Sequence, residues 1–127
     1  MSHVVTIETQ VRDVVAAKAG CRRLRLPQPF VGDVKLFSGT VHGLAVSLKD
    51  WRYPAVFDLK TGQGRFDNYN GKWGSPQRLD EFLQAYAVEK ATLEARRSGH
   101  AVQEQTLEDG SIRLTIGVGT ASEGGAT

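Results

Sequence analysis

The stretch Val34-Lys35-Leu36-Phe37-Ser38-Gly39-Thr40-Val41-His42-Gly43-Leu44-Ala45-Val46-Ser47-Leu48 decides the fold class. Two apolar-rich runs, Val34 to Phe37 and Val41 to Leu48, flank Ser38-Gly39-Thr40, a loop short enough to close a β-hairpin. His42, Leu44, Val46 and Leu48 recur at every second position, the period that puts side chains on one face of a strand. A second hairpin follows. Ala55 to Leu59 and Gly64 to Tyr69 flank Lys60-Thr61-Gly62-Gln63, and Asn70-Gly71 is the pair that most easily adopts the positive φ of a tight turn.

Outward from this β region, each side carries a helix. Upstream, Val4 to Glu8 alternates as a strand, and Asp13 can cap a helix by accepting from first-turn amides. Val14, Ala17, Cys21 and Leu24 follow at helical spacing until Pro27 and Pro29 stop it. Downstream, Ser75-Pro76 combines a capping hydroxyl with proline at the first helical position. Leu79, Phe82, Leu83, Tyr86 and Ala87 form an apolar stripe, and Gly99 suits the left-handed stop. His100 to Leu107 and Ser111 to Val118 then read as two strands joined at Glu108-Asp109-Gly110. Antiparallel hairpins with helices outside the strand run predict an α+β fold, a single antiparallel β-sheet with two helices packed on one face. It spans residues 1–118 as one domain. Residues 119–127 hold no large apolar side chain and read as a flexible tail.

Composition narrows the function classes. At 127 residues and 40% hydrophobic, the chain can build a core without disulfide or metal. A formal charge of +2 is far from the concentrated basic excess of a nucleic-acid binder. The single cysteine, Cys21, excludes an intrachain disulfide and suits a reducing compartment. The N-terminus lacks the pattern of a secretory signal and no apolar run reaches membrane-spanning length, so a soluble cytoplasmic protein is expected.

The motifs of known chemistry are missing. His3, His42 and His100 lie at no metal-ligand spacing, and no metal or cofactor site is expected. Gly-x-Ser-x-Gly does not occur, and Gly62-Gln63-Gly64 lacks the remainder of a dinucleotide loop. Cys21 shares its helical register with Val14, Ala17 and Leu24, which makes it a buried hydrophobe rather than a nucleophile. Arg22, Arg23 and Arg25 could meet phosphates, but no aromatic is interleaved with them.

The densest polar and aromatic crowding runs from Arg65 to Trp73, with Trp51-Arg52-Tyr53-Pro54 shortly before. Rings beside hydrogen-bonding groups are what a recognition surface uses. The candidate binding surface is therefore Trp51, Arg65, Asp67, Tyr69, Asn70, Lys72 and Trp73. The bland alternative is a tight turn whose Asn and Asp satisfy local backbone, with Phe66 and Trp73 in the core. Alternation puts Arg65, Asp67 and Tyr69 on one face, outward if Phe66 lies in the core.

Three segments carry a family resemblance: the opening Met1-Ser2-His3-Val4-Val5-Thr6-Ile7-Glu8-Thr9-Gln10 with Arg12-Asp13, the helix Phe82 to Lys90, and the closing Gly99 to Leu114. In that order they resemble the uncharacterised chloroplast hypothetical-reading-frame family of algal plastids, cyanobacteria and other bacteria. The resemblance implies a cytosolic or stromal protein without assigned chemistry. It also implies an accessory role beside an AAA-type ATPase or a small companion protein, and offers no catalytic residue to carry over. The sequence thus reads as a non-enzymatic binding or adaptor domain. A small enzyme or ligand-binding domain using the Trp51–Trp73 region is the alternative, and nucleic-acid binding through Arg22, Arg23 and Arg25 the weaker one.

Overall fold

The computed structural model describes residues 4–117. Along them run β1 Val5–Glu8, α1 Val14–Arg23, β2 Phe30–Lys35, β3 Thr40–Val46, β4 Ala55–Phe57, β5 Gln63–Phe66, α2 Pro76–Arg97, β6 Ala101–Thr106 and β7 Ile112–Gly117. The expected tail, 119–127, lies outside the described residues, as does His3.

Both helices start where their capping residues stand. Asp13 Oδ1 accepts from the amides of Val15 (2.9 Å) and Ala16 (3.2 Å), and Ser75 precedes Pro76 at the start of α2. Gly99, at φ 77°, turns the chain after α2, a left-handed position that glycine occupies without a Cβ penalty.

The strands form a five-stranded, wholly antiparallel sheet in the order β1-β5-β4-β3-β2. Alternating directions leave β1 and β2 running the same way at opposite edges, so the chain between them must cross the sheet. α1 makes that crossing. Ile7, Gly64, Phe57 and Leu44 lie in one cross-strand row facing the helices. Around that row, Val46, Leu48 and Phe66 pack with Ala17 and Cys21 of α1 and with Leu79, Phe82 and Tyr86 of α2 to form the main core. Leu44, Val46 and Leu48 share this face as their period requires, and burial pushes the Cys21 thiol up to about 11. At that value the side chain is a neutral hydrophobe at physiological pH.

Tyr86 joins the two helices by more than packing. Its hydroxyl oxygen accepts from the backbone amides of Arg12 (3.1 Å) and Asp13 (3.0 Å), just ahead of α1. Beside it, Lys90 Nζ donates to Asp13 Oδ2 at 3.0 Å. Burial raises the Asp13 carboxyl, but the Lys90 bond and the two capping amides outweigh it and hold the group below its usual range. Tyr86→Phe leaves both amides without their acceptor and is expected to cost about 1–3 kcal/mol in thermal or urea unfolding. A change within error would show that water replaces the phenol at no cost.

Two departures from the sequence reading shape the rest of the molecule. First, β6 and β7 form a separate two-stranded sheet instead of joining the main one. β6, Ala-Val-Gln-Glu-Gln-Thr, has too little apolar surface to enter a core, and only Val102 in it is partly covered. The hairpin is instead tied to the helices by charge: Arg23 donates to both Glu104 oxygens (3.0 and 2.6 Å) and through Nε to Glu89 (2.9 Å).

Second, β2 begins at Phe30, not Val34, and the hairpin it forms with β3 folds back on itself. Asp67 follows β5 at the end of the sheet where β3 finishes, whereas Ser38 lies beyond the start of β3. A straight β3 would hold those two ends about 20 Å apart. Yet Ser38 Oγ donates to Asp67 Oδ2 at 3.3 Å, and the Phe37 ring lies 5.2 Å from that of Trp73. The outer half of the hairpin is therefore a flap over the sheet face opposite the helices. Gly32 and Gly43, directly paired, mark the bend. A Cβ on Gly43 would lie 2.5 Å from the Phe57 carbonyl oxygen, so no side chain fits there. Beneath the flap, Val34 and Leu36 meet Ala45 and Val56 in a second small core, with Val4, Val41 and Tyr53 at its rim. His42, on the flap side of Gly43, leaves the row of Leu44 and Val46 and is exposed.

Candidate functional site

After β5 the chain makes a turn built from its own backbone. Tyr69 (φ 48°), Asn70 (φ 54°) and Gly71 (φ 90°) are consecutive left-handed residues, one more than the Asn70-Gly71 pair foretold. The Asn68 carbonyl accepts from the amides of Gly71 (3.0 Å) and Trp73 (2.9 Å), and Asn68 Nδ2 donates to the Gly74 carbonyl at 3.2 Å. The Arg52 amide donates to the Trp73 carbonyl at 2.8 Å, which locks the Trp51–Pro54 segment against the turn. Because these polar groups are spent internally, the side chains of the turn are held on a stiff frame.

Trp73 is the hub of what that frame presents. Its ring stands 4.9 Å from Tyr69, 5.2 Å from Phe37 and 5.7 Å from Tyr53. The Arg52 guanidinium lies 4.7 Å above the Trp73 ring, and Lys72 Nζ 5.0 Å over Tyr69. Such contacts at exposed sites contribute about 0.5–1 kcal/mol each, enough to orient the cations without hiding them. Neither Arg52 nor Lys72 pairs with a carboxylate among the described residues. Phe37, at the tip of the flap, is 57% exposed. The result is an aromatic platform with two cations on it.

The residues expected to form one surface separate into three groups. Tyr69, Asn70, Lys72 and Trp73 belong to the platform. Trp51 turns inward: its ring packs edge-on against Phe66 at 5.4 Å, its indole N–H donates to the Ser75 carbonyl at 2.9 Å, and Gly74 leaves room for it. Asp67 is not outward either. Alternation does place it on the face of Arg65, with Phe66 in the core, but the flap covers that face and Asp67 is 1% exposed. Its Oδ2 meets Ser38, while Oδ1 has no partner among the described residues. Arg65 is exposed, but it lines a different cleft, with His42 and Lys60. Phe37, Arg52 and Tyr53 are platform residues absent from the expected surface; Arg52 and Tyr53 stood in the adjoining Trp51–Pro54 stretch, and Phe37 stood apart from it. The position of Phe37 beside the Ser38-Gly39 turn was legible; its approach to Trp73 was not.

The basic run at the end of α1 does not act as one row. Arg23 is engaged with Glu89 and Glu104, which leaves Arg22 and Arg25 exposed on either side of it. No helix among the described residues is long and apolar enough to cross a membrane.

No protein-family model, curated protein or solved structure matches the chain.

Proposed function

We propose that this chain is a non-enzymatic binding module of the cytoplasm that docks an acidic, apolar-anchored segment of another protein on the Trp73 platform. The observation that carries the reading is the pair of cations, Arg52 and Lys72, stacked on partly exposed rings and without a carboxylate partner among the described residues. Rings that are stiff and half-buried contribute contact area at little entropy cost, and cations beside them select a negative partner. Phe37 and Tyr69 supply the apolar anchor positions and Arg52 and Lys72 the charge selection. The family resemblance names the first partner to test, an AAA-type ATPase or its small companion protein.

The test compares capture of such a partner by the wild-type chain, Phe37→Ala and the double variant Arg52→Glu with Lys72→Glu. Each variant is expected to weaken capture by about 2 kcal/mol or more, roughly 30-fold, as at a true hot spot. All three positions are exposed, so the melting temperature should move little. Undiminished capture by both variants would remove the platform from the interaction and leave the adaptor reading without its site.

A further inference from the structure

Arg65 stands apart from the platform, and its surroundings have a chemistry of their own. It sits on β5, an interior strand between β1 and β4, so its backbone is fixed on both sides. Its cross-strand neighbours are Thr6 and Val56, neither of which carries a charge. The bend at Gly32 and Gly43 opens a cleft of about 480 Å³ lined by Val31, His42 and Gly43 at the base of the flap, by Asp58 and Lys60 from the β4–β5 turn, and by Arg65.

The histidine and the aspartate of this cleft are oriented before any ligand arrives. His42 Nδ1 lies 2.8 Å from Asp33 Oδ1, its direct partner across the β2–β3 ladder, so Nε2 is the nitrogen left for a ligand, and it donates to an anion in the imidazolium form. Asp58 caps its own turn: Oδ1 accepts from the Lys60 amide at 2.8 Å, and its carbonyl accepts from the Gly62 amide at 2.7 Å. Asp33 is thus paired with the imidazole, and Asp58 is held by its own turn through one oxygen. Arg65 and Lys60 have no carboxylate within ion-pairing distance among the described residues. Three nitrogen-bearing side chains from three separate segments line one open cleft at whose edge Gly43 contributes no side chain.

We propose that this cleft binds the phosphoryl group of a small phosphorylated molecule, with Arg65 and Lys60 as its cationic clamp and His42 as a third contact. A guanidinium presents a fork that matches two phosphate oxygens, and lysine adds a point charge. The site shares no residue with the Trp73 platform, and the proposal does not rest on a protein docking there.

The probe is inorganic phosphate, followed by glycerol phosphate and then acetate, titrated at constant ionic strength into the ¹⁵N-labelled chain. Saturable shifts confined to His42, Gly43, Lys60 and Arg65 are expected. Arg65→Gln and Lys60→Gln should each weaken binding at least about fivefold, while Arg113→Gln on β7 should leave it unchanged. Glycerol phosphate is expected to bind at least as well as phosphate, and acetate more weakly. Shifts that do not saturate, or that survive Arg65→Gln, would overturn the site. Acetate binding as tightly as phosphate would overturn its phosphoryl selectivity. The rest of the variant spectra superimposing on wild type confirms that the fold is intact.

Discussion

Phe57→Ala is expected to destabilise the domain by about 3–5 kcal/mol, a large share of the roughly 5–15 kcal/mol that holds a protein of this size together. Phe57 is 0% exposed on β4, the central strand of the main sheet and only three residues long. Its ring packs 5.6 Å from that of Phe82 and lies against Gly64, where a Cβ would approach Phe57 Cε1 to 3.0 Å. Gly64 has no side chain to move into the space, and the strands on either side are held in register by the ladders. The cavity can therefore collapse little, which puts the cost in the upper part of the range for large-to-small changes. Urea unfolding should show a lower midpoint at unchanged slope. A loss below about 1 kcal/mol would mean that the core refills and is looser than its contacts indicate.

Gly43→Ala is the second large effect, at about 3 kcal/mol, the upper end for forcing extra volume into a packed site. The new methyl would press on the Phe57 carbonyl and on Val56 Cγ1, groups of the central strand that cannot swing aside as a flexible side chain can. The strain should be relieved by lifting the flap, so amides of Val34, Leu36 and Val41 should exchange faster than those of β4 and β5. Trp73 fluorescence should change as the Phe37 ring moves off it. Gly39→Ala, at the flap tip where nothing lies within 4 Å of the added Cβ, is the control and should be close to neutral. Equal effects at the two glycines would show that the bend at Gly43 is not what holds the flap down.

The flap also links the two proposed sites. Its tip carries Phe37 to the platform, and its base opens the cleft beside His42 and Arg65. Asp67, buried beneath it with one oxygen unpartnered among the described residues, is the least comfortable group in that arrangement, since a buried acceptor left unmade costs free energy.

What the sequence determined by itself is whatever depends on neighbours a few residues away. Asp13, Ser75-Pro76 and Gly99 mark the helix ends because capping is a contact between a side chain and amides within one turn, or a φ that only one residue must satisfy. Leu44, Val46 and Leu48 reveal their shared face because alternation is a property of the strand alone. The turn of the candidate site was legible for the same reason, through Asn70-Gly71. Which faces are covered depends instead on contacts between distant segments. Gly32 lies ahead of the strand expected from Val34, and nothing local says that it lies opposite Gly43 or that the hairpin folds back there. That fold-back buries Asp67 under Ser38, a residue 29 positions earlier, and brings Phe37 to Trp73. The same bend sets His42 at the mouth of a cleft with Arg65. Each of these is a contact between segments far apart in the chain, so the energy that selects it comes from packing a whole face, which no window of sequence contains.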